Sequence, residues 1–236
     1  MATISGDWDK DPYLLCTPGP TVDLKTGESR KPNPANLISK RTAVAPAPPG
    51  TETPIWSQFL HDATGGDPDL SAYLQRLIGY CLTGDIREQM LAFFHGEGGN
   101  GKGVFVNTCT AILGDYARVA PMEAFTSSKG DRHPTELAML QGARFVTAQE
   151  TEEGRAWNEP RIKQLTGGDP ITARFMKMDF FTYDPTFKLI FVGNNKPSLK
   201  AVDDAIRRRF NLVPFTSPPR RIQNFKKGFA MNGQGY

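Results

Sequence analysis

Residues 94–107, Phe-His-Gly-Glu-Gly-Gly-Asn-Gly-Lys-Gly-Val-Phe-Val-Asn, are the stretch of this chain best equipped for chemistry. Gly96, Gly101 and Lys102 have the G-x-x-x-x-G-K spacing of a phosphate-binding loop. Glycines let the backbone curl so that several N–H groups converge on one phosphate, and a following helix N-terminus adds positive potential. Gly96, Gly98, Gly99, Asn100, Gly101, Lys102, Gly103 and Val104 are therefore the candidate nucleotide-binding residues. Lys102 would neutralise the β- and γ-phosphates of ATP. The bland alternative is a simple strand-to-helix turn. An apolar run over Met90–Phe94 and an apolar segment over 104–113 supply the strand and helix that the phosphate reading requires.

One position departs from the pattern. The residue after the lysine is expected to be Ser or Thr, whose hydroxyl ligates Mg2+, and here it is Gly103. Asn107, one turn on, is expected to point away from the phosphates. Metal binding must then rest on an acid elsewhere, on nucleotide oxygens and on water, and Mg2+ keeps several waters readily. The apolar segment Arg144–Gln149 runs into such acids. Glu150 is the first candidate for the Mg2+ and water-activating role, and Glu152 the second. A second apolar segment, Leu189–Val192, runs into Asn194, which could bridge the attacking water and the γ-phosphate as a polar sensor. By itself an asparagine there reads as a turn residue.

The elements that must position these groups follow from periodicity. Strands are expected at Met90–His95, Arg144–Gln149, Leu189–Val192 and Asn211–Val213. Helices are expected at 104–113, Thr135–Leu140, Glu159–Leu165 and Ala201–Arg209, with a β-hairpin over Ile171–Tyr183. Strands alternating with helices predict an α/β fold with a parallel sheet, in which ligands sit at the carboxyl ends of the strands. Three such ends carry Lys102, Glu150 and Asn194. Upstream, residues 55–64 and 69–83 read as two amphipathic helices. Ile55, Phe59 and Leu60 form one stripe, and Leu70, Leu74, Leu77, Ile78 and Leu82 the other. The expected organisation is short strands and irregular chain over 1–54, with Thr21–Leu24 as one strand candidate, a helical collar or lid over 55–87, an ATPase core over 88–215 and a basic tail over 216–236.

Composition narrows the function classes. The chain has 236 residues, 39% of them hydrophobic and 22% charged, as in a water-soluble globular protein. The N-terminus carries Asp7, Asp9 and Asp11 rather than the apolar core of a signal peptide, and no apolar run approaches the ~20 residues that span a bilayer. No membrane partner is expected. Cys16, Cys81 and Cys109 are odd in number and lack C-x-x-C spacing, as expected of reduced thiols in a cytoplasm. His61, His95 and His133 are too scattered for a metal cluster or a triad. Arg207, Arg208, Arg209, Arg220, Arg221, Lys226 and Lys227 follow Ala205 with no acid among them, so a net charge of +3 leaves residues 1–204 at −4. Such a basic end suits nucleic acid, although a solvated basic tail is the commoner case.

Six ordered motifs carry a family resemblance. After Gly-x-Gly-Gly-Asn-Gly-Lys come Leu140-Gln-Gly-Ala-Arg-Phe-Val146, Glu150-Thr-Glu-Glu-Gly154 and Lys163-Gln-Leu-Thr-Gly-Gly-Asp-Pro-Ile-Thr-Ala-Arg174. Phe187-Lys-Leu-Ile-Phe-Val-Gly-Asn-Asn-Lys-Pro197 and Asp203-Asp-Ala-Ile-Arg-Arg-Arg209 follow. Over residues 7–215 the chain resembles the phage and plasmid primase C-terminal region, the poxvirus-type superfamily-three DNA helicases. The resemblance implies an AAA+-like P-loop core with a β-hairpin insertion, assembled as a hexameric ring. Such a ring hydrolyses ATP with Mg2+ between subunits and translocates on single-stranded DNA.

By the same resemblance Lys102, Glu150, Asn194 and Arg209 are the catalytic residues, Arg209 as an arginine finger with Arg208 as alternate. Arg174 and Lys177, in the hairpin segment Arg174-Phe-Met-Lys-Met178, would meet DNA phosphates. A primase partner and the cytoplasm of a bacterial host complete the picture. Such proteins usually carry a primase or accessory domain upstream and helical sequence downstream. The alternative to a motor is therefore a truncated, non-motor nucleotide-binding remnant. Small-molecule kinases share the loop but have no place for the Thr-Gly-Gly-Asp and Asn-Asn-Lys-Pro segments.

Overall fold

The computed structural model describes residues 7–127, 135–149, 157–194 and 203–217. Its centre is a five-stranded, all-parallel sheet. β4 (Leu91–His95), β5 (Ala117–Val119), β6 (Phe145–Gln149), β9 (Lys188–Val192) and β10 (Phe210–Pro214) lie in the order β10-β4-β9-β6-β5. The registers align Val213, Phe94, Val192 and Gln149 in one row, so four strands end together at the carboxyl edge.

Both faces of the sheet are covered, and near-continuous apolar strands are what that requires. Leu91, Phe93, Val146, Ala148, Leu189 and Phe191 face a core built with α4 (Thr135–Ala138) and α5 (Glu159–Gly167). Ile171 and Tyr183 from β7 (Ile171–Ala173) and β8 (Phe181–Tyr183) join that core. Ala92, Phe94, Phe145, Ile190, Val192 and Val213 face the other way, toward α1 (Pro54–Ala63), α2 (Pro68–Leu82) and α3 (Lys102–Leu113). The last helix, α6 (Asp204–Arg207), is capped by the Asp203 side chain, which accepts from the Ile206 N–H at 2.8 Å.

Several expectations are refined. The helix after the glycine loop begins at Lys102, two residues before the apolar segment, because Gly101 takes a left-handed conformation (φ 93°) and turns the chain directly into it. α1 buries Phe59 and Ala63, whereas Ile55 is 62% exposed, so the inward stripe starts from Trp56 and not from Ile55. The helix expected over Ala201–Arg209 is described only as Asp204–Arg207. The short edge strand β5 was not anticipated, since three residues leave no periodic signal. The N-terminal part holds the short strands expected of it, one of them coinciding with the Thr21–Leu24 candidate. β1 (Leu14–Cys16), β2 (Thr21–Asp23) and β3 (Ser29–Arg30) form an antiparallel sheet. Tyr116 fastens it to the core by accepting from the Cys16 N–H at 3.2 Å and donating to the Lys40 carbonyl at 3.0 Å. No described helix is long and apolar enough to cross a membrane.

Candidate functional site

The loop between β4 and α3 lies at the carboxyl edge of the sheet, between the ends of β9 and β10. Gly96, Gly99 and Gly101 all have positive φ, at 142°, 81° and 93°, a sequence of turns open to glycine at no steric cost. Gly96 is also required by packing, because a Cβ there would collide with the Phe215 carbonyl and the Asn100 amide. Lys102 is buried and folded back on its own loop. Its Nζ donates to the carbonyl of Gly96, to the carbonyl of Glu97 at 3.0 Å and to Asn100 Oδ1 at 3.0 Å. Burial lowers its pKa below the ordinary lysine value. These partners are neutral acceptors, so an arriving phosphate can replace them with full opposite charge. At Gly103 a Cβ would meet nothing within 4 Å, so packing does not exclude Ser or Thr there. Asn107 is exposed.

The neighbouring strand ends complete the edge. β9 leads to Asn194, which is exposed and whose carbonyl accepts from the Gly96 N–H at 3.3 Å. β6 ends beside β9 at Gln149, and Glu150 and Glu152 lie outside the described residues. Among the described residues no cluster of His, Cys, Asp and Glu could hold a metal ion.

Two other groups of candidate residues belong to other elements. β7 and β8 pair antiparallel, and the connecting residues 174–180 project Met176 (70% exposed), Lys177, Met178 and Phe180. Lys177 has φ 60°, which turns the chain at the tip. The Arg174 guanidinium stands 5.0 Å over the Phe180 ring, so the two cations differ, Arg174 resting on the hairpin and Lys177 facing solvent.

The arginines sit at the opposite, amino edge, where Phe210 pairs with Leu91. Arg209 is 6% exposed and bonded on all sides within its own chain. It donates to Thr166 Oγ1 at 3.1 Å, the Ala205 carbonyl at 2.8 Å and Gln89 Oε1 at 3.0 Å. Desolvation, then the adjacent Arg208, depresses its pKa. Arg207 and Arg208 are exposed. Thr166 and Gln89 were not singled out in the sequence. Thr166 could have been found within the Lys163–Arg174 motif, but nothing marks Gln89.

Residues 94–209 match a family of unknown function (DUF5906), and residues 1–65 match a family described as D5 N terminal like. The chain is 28% identical over 214 residues to a "Putative helicase" of Acanthamoeba polyphaga mimivirus, covering 89% of this chain and 22% of that protein. It is 31% identical over 219 residues to "Putative helicase 184R" of Invertebrate iridescent virus 6, covering 89% and 23%. A "Putative primase" of African swine fever virus is 22% identical over 231 residues, covering 93% and 24%. The chain thus spans about a quarter or less of the length of these relatives. The apo structure of the NrS-1 C-terminal region superposes with a TM-score of 0.58 at 15% identity, over 89% of this chain and 46% of that one, so the fold is shared. By sequence similarity the chain is a homologue of D5-like viral proteins named as helicases and primases, the superfamily-three class that its motifs resemble, and it shares the fold of the NrS-1 C-terminal region.

Proposed function

We propose that this chain is the ATPase core of a viral or phage replication helicase, hydrolysing ATP with Mg2+ between the subunits of a hexameric ring to move along single-stranded DNA. One observation carries the reading. The Lys102 loop, the Asn194 carbonyl and the end of β6 meet at one carboxyl edge of a parallel sheet. In this reading Gly96–Val104 wrap the phosphates and Lys102 leaves its loop carbonyls for the β- and γ-oxygens. Asn194 orients the attacking water, and Glu150, with Glu152 as the second choice, would hold Mg2+, which would supply charge stabilisation at the phosphates. In-line attack then needs little covalent chemistry from the protein beyond positioning and charge stabilisation. Lys177, at the exposed hairpin tip, meets DNA phosphates, with Arg174 as its support.

The arginine-finger reading draws its support from topology. The amino edge lies one β10 length from the loop, and five residues of strand span about 16 Å. At that distance an arginine is too far from its own chain's γ-phosphate, so in this reading it acts on a neighbour's across an interface. Arg209 was the sequence choice, yet it is enclosed within its own chain, and exposed Arg208 is the better presented of the two.

Phosphate release measured with and without single-stranded DNA tests the proposal, with Lys102→Ala as the control. DNA-stimulated turnover that vanishes in the variant is expected. ATP binding without turnover would favour a non-motor nucleotide-binding role. Equal ATP affinity in both proteins would remove the loop assignment.

A further inference from the structure

Asn100 occupies the centre of the loop, is 7% exposed and uses both ends of its amide. Oδ1 accepts from Lys102 Nζ at 3.0 Å, while Nδ2 donates to the carbonyl of Phe215, the residue that follows β10. The amide orientation is fixed by its partners, since an ammonium only donates and a carbonyl only accepts. Phe215 is itself held to β4, its N–H donating to the His95 carbonyl at 2.8 Å. The absence of a side chain at Gly96 is what lets the Phe215 carbonyl and the Asn100 amide meet.

Phe215 also has a side chain in a ring cluster. It packs 5.2 Å from Phe94 and 6.0 Å from Phe105, and Phe105 stacks on Trp56 of α1 at 5.6 Å with an interplanar angle of 23°. The chain of contacts from the Lys102 ammonium to the α1–α2 helical pair is therefore short and wholly among described residues. It runs Lys102, Asn100, Phe215, Phe105, Trp56.

We propose that Asn100 is a positioning residue that ties the location of the Lys102 ammonium to the Phe215 end of β10, and through the ring cluster to the helical pair. In this structure Asn100 holds Lys102 against its own loop and Phe215 in place. When Lys102 moves to a phosphate, Asn100 Oδ1 loses its charged partner and the hold on the Phe215 carbonyl is reset. Buried aromatic packing passes such a change on, because close-packed rings move together or not at all. The inference rests on the loop's taking a nucleotide, and its test separates the two.

The test uses the full chain, a non-hydrolysable ATP analogue with Mg2+, calorimetry for binding and tryptophan emission for the response of Trp56. Trp56→Phe identifies that residue's share of the signal against Trp8 and Trp157. In the wild type, the analogue should bind and alter a Trp56-dependent emission. In Asn100→Ala, read at an analogue concentration that calorimetry shows to saturate that variant, the emission change should disappear, and a variant that cannot be saturated places Asn100 in binding itself and overturns the inference. Asn100→Ser adds no charge to the loop but is too short to bridge Lys102 and Phe215, so it should also lose the emission change. It serves equally should the alanine variant fail to fold. A wild type that binds no analogue overturns the nucleotide reading and this inference together. A wild type that binds without a Trp56 response, or variants that retain the response, overturn the inference alone.

Discussion

Gly103 is the one loop position where the residue type, and not its placement, weakens the chemistry. The hydroxyl that would ligate Mg2+ is missing, although the space for it is open and the position is exposed. Gly103→Ser should therefore be accepted without loss of stability. A glycine in a helix is destabilising by roughly 0.5–1 kcal/mol relative to Ala, so the urea midpoint should hold or rise. If the chain is an ATPase, the added ligand should lower the Mg2+ concentration that gives half-maximal turnover. An unchanged Mg2+ dependence would mean that the metal is not held beside residue 103. The sequence alone identified the departure, and only the structure shows that no neighbour compels it. Asn100 illustrates the reverse. Its place in the motif was legible, while its second partner, Phe215, lies 115 residues away and carries no local signal.

At the scale of elements, the four principal strands and the helices α1, α2, α3 and α5 were legible because each repeats its period long enough to be read. β5 and the small N-terminal strands were not, or only in part. They are two or three residues long, and they are held by contacts remote in sequence, such as Tyr116 to Cys16. Lys188 belongs to the same class of hidden ties. It starts β9 with 2% exposure, donates to the carbonyls of Thr83 and Asp85 at the end of α2, and stands 4.6 Å over the Tyr80 ring. Burial pushes its pKa down to about 8, below the roughly 10.4 of an unfolded lysine. Between those values the unfolded chain binds more protons, so the stability owed to Lys188 should rise with pH from about 8 and be complete above about 10.4. The comparison of wild type with Lys188→Met isolates this, since Cys81, raised by burial to about 12, titrates in both. Urea midpoints at pH 7 and pH 10 should show the wild type gaining on the variant. A constant gap would show that Lys188 is not buried as a charge.

The hairpin makes its own prediction at this scale. Lys177 faces solvent at the tip, whereas Arg174 rests on Phe180. Lys177→Ala should weaken single-stranded DNA binding at low salt and reduce the salt slope by about one unit, as loss of one phosphate contact requires. ATP binding should not change. Titrations at several salt concentrations decide it, and an unchanged slope would place the DNA contact elsewhere.

The whole molecule places its two charged features on opposite edges of one sheet, the lysine loop at the carboxyl ends and the arginine turn at the amino ends. That separation was implicit in the sequence order but could be measured only once β10 was seen pairing parallel to β4. If an arginine of this turn acts as a finger, the separation requires it to act on a neighbouring chain, and Arg208 and Arg209 then differ in burial. Arg209 ties α5, the entry to β4 and α6 together through Thr166, Gln89 and Ala205. Arg209→Ala should therefore lower stability, by about 1–3 kcal/mol for the buried partners left unsatisfied. Arg208→Ala touches no such partner and should leave the urea midpoint unchanged. If Arg208 stabilises the charge on a neighbour's γ-phosphate, its removal should cost on the order of 10³–10⁵ in turnover while ATP affinity is kept. Mixing Arg208→Ala with Lys102→Ala subunits should then restore part of the activity, because some interfaces pair an intact Lys102 with an intact arginine. If assembly is verified and only mixtures containing Arg209→Ala recover, Arg209 leaves its buried site in the working ring and is the finger. If neither mixture recovers, hydrolysis does not occur between subunits and the ring mechanism falls.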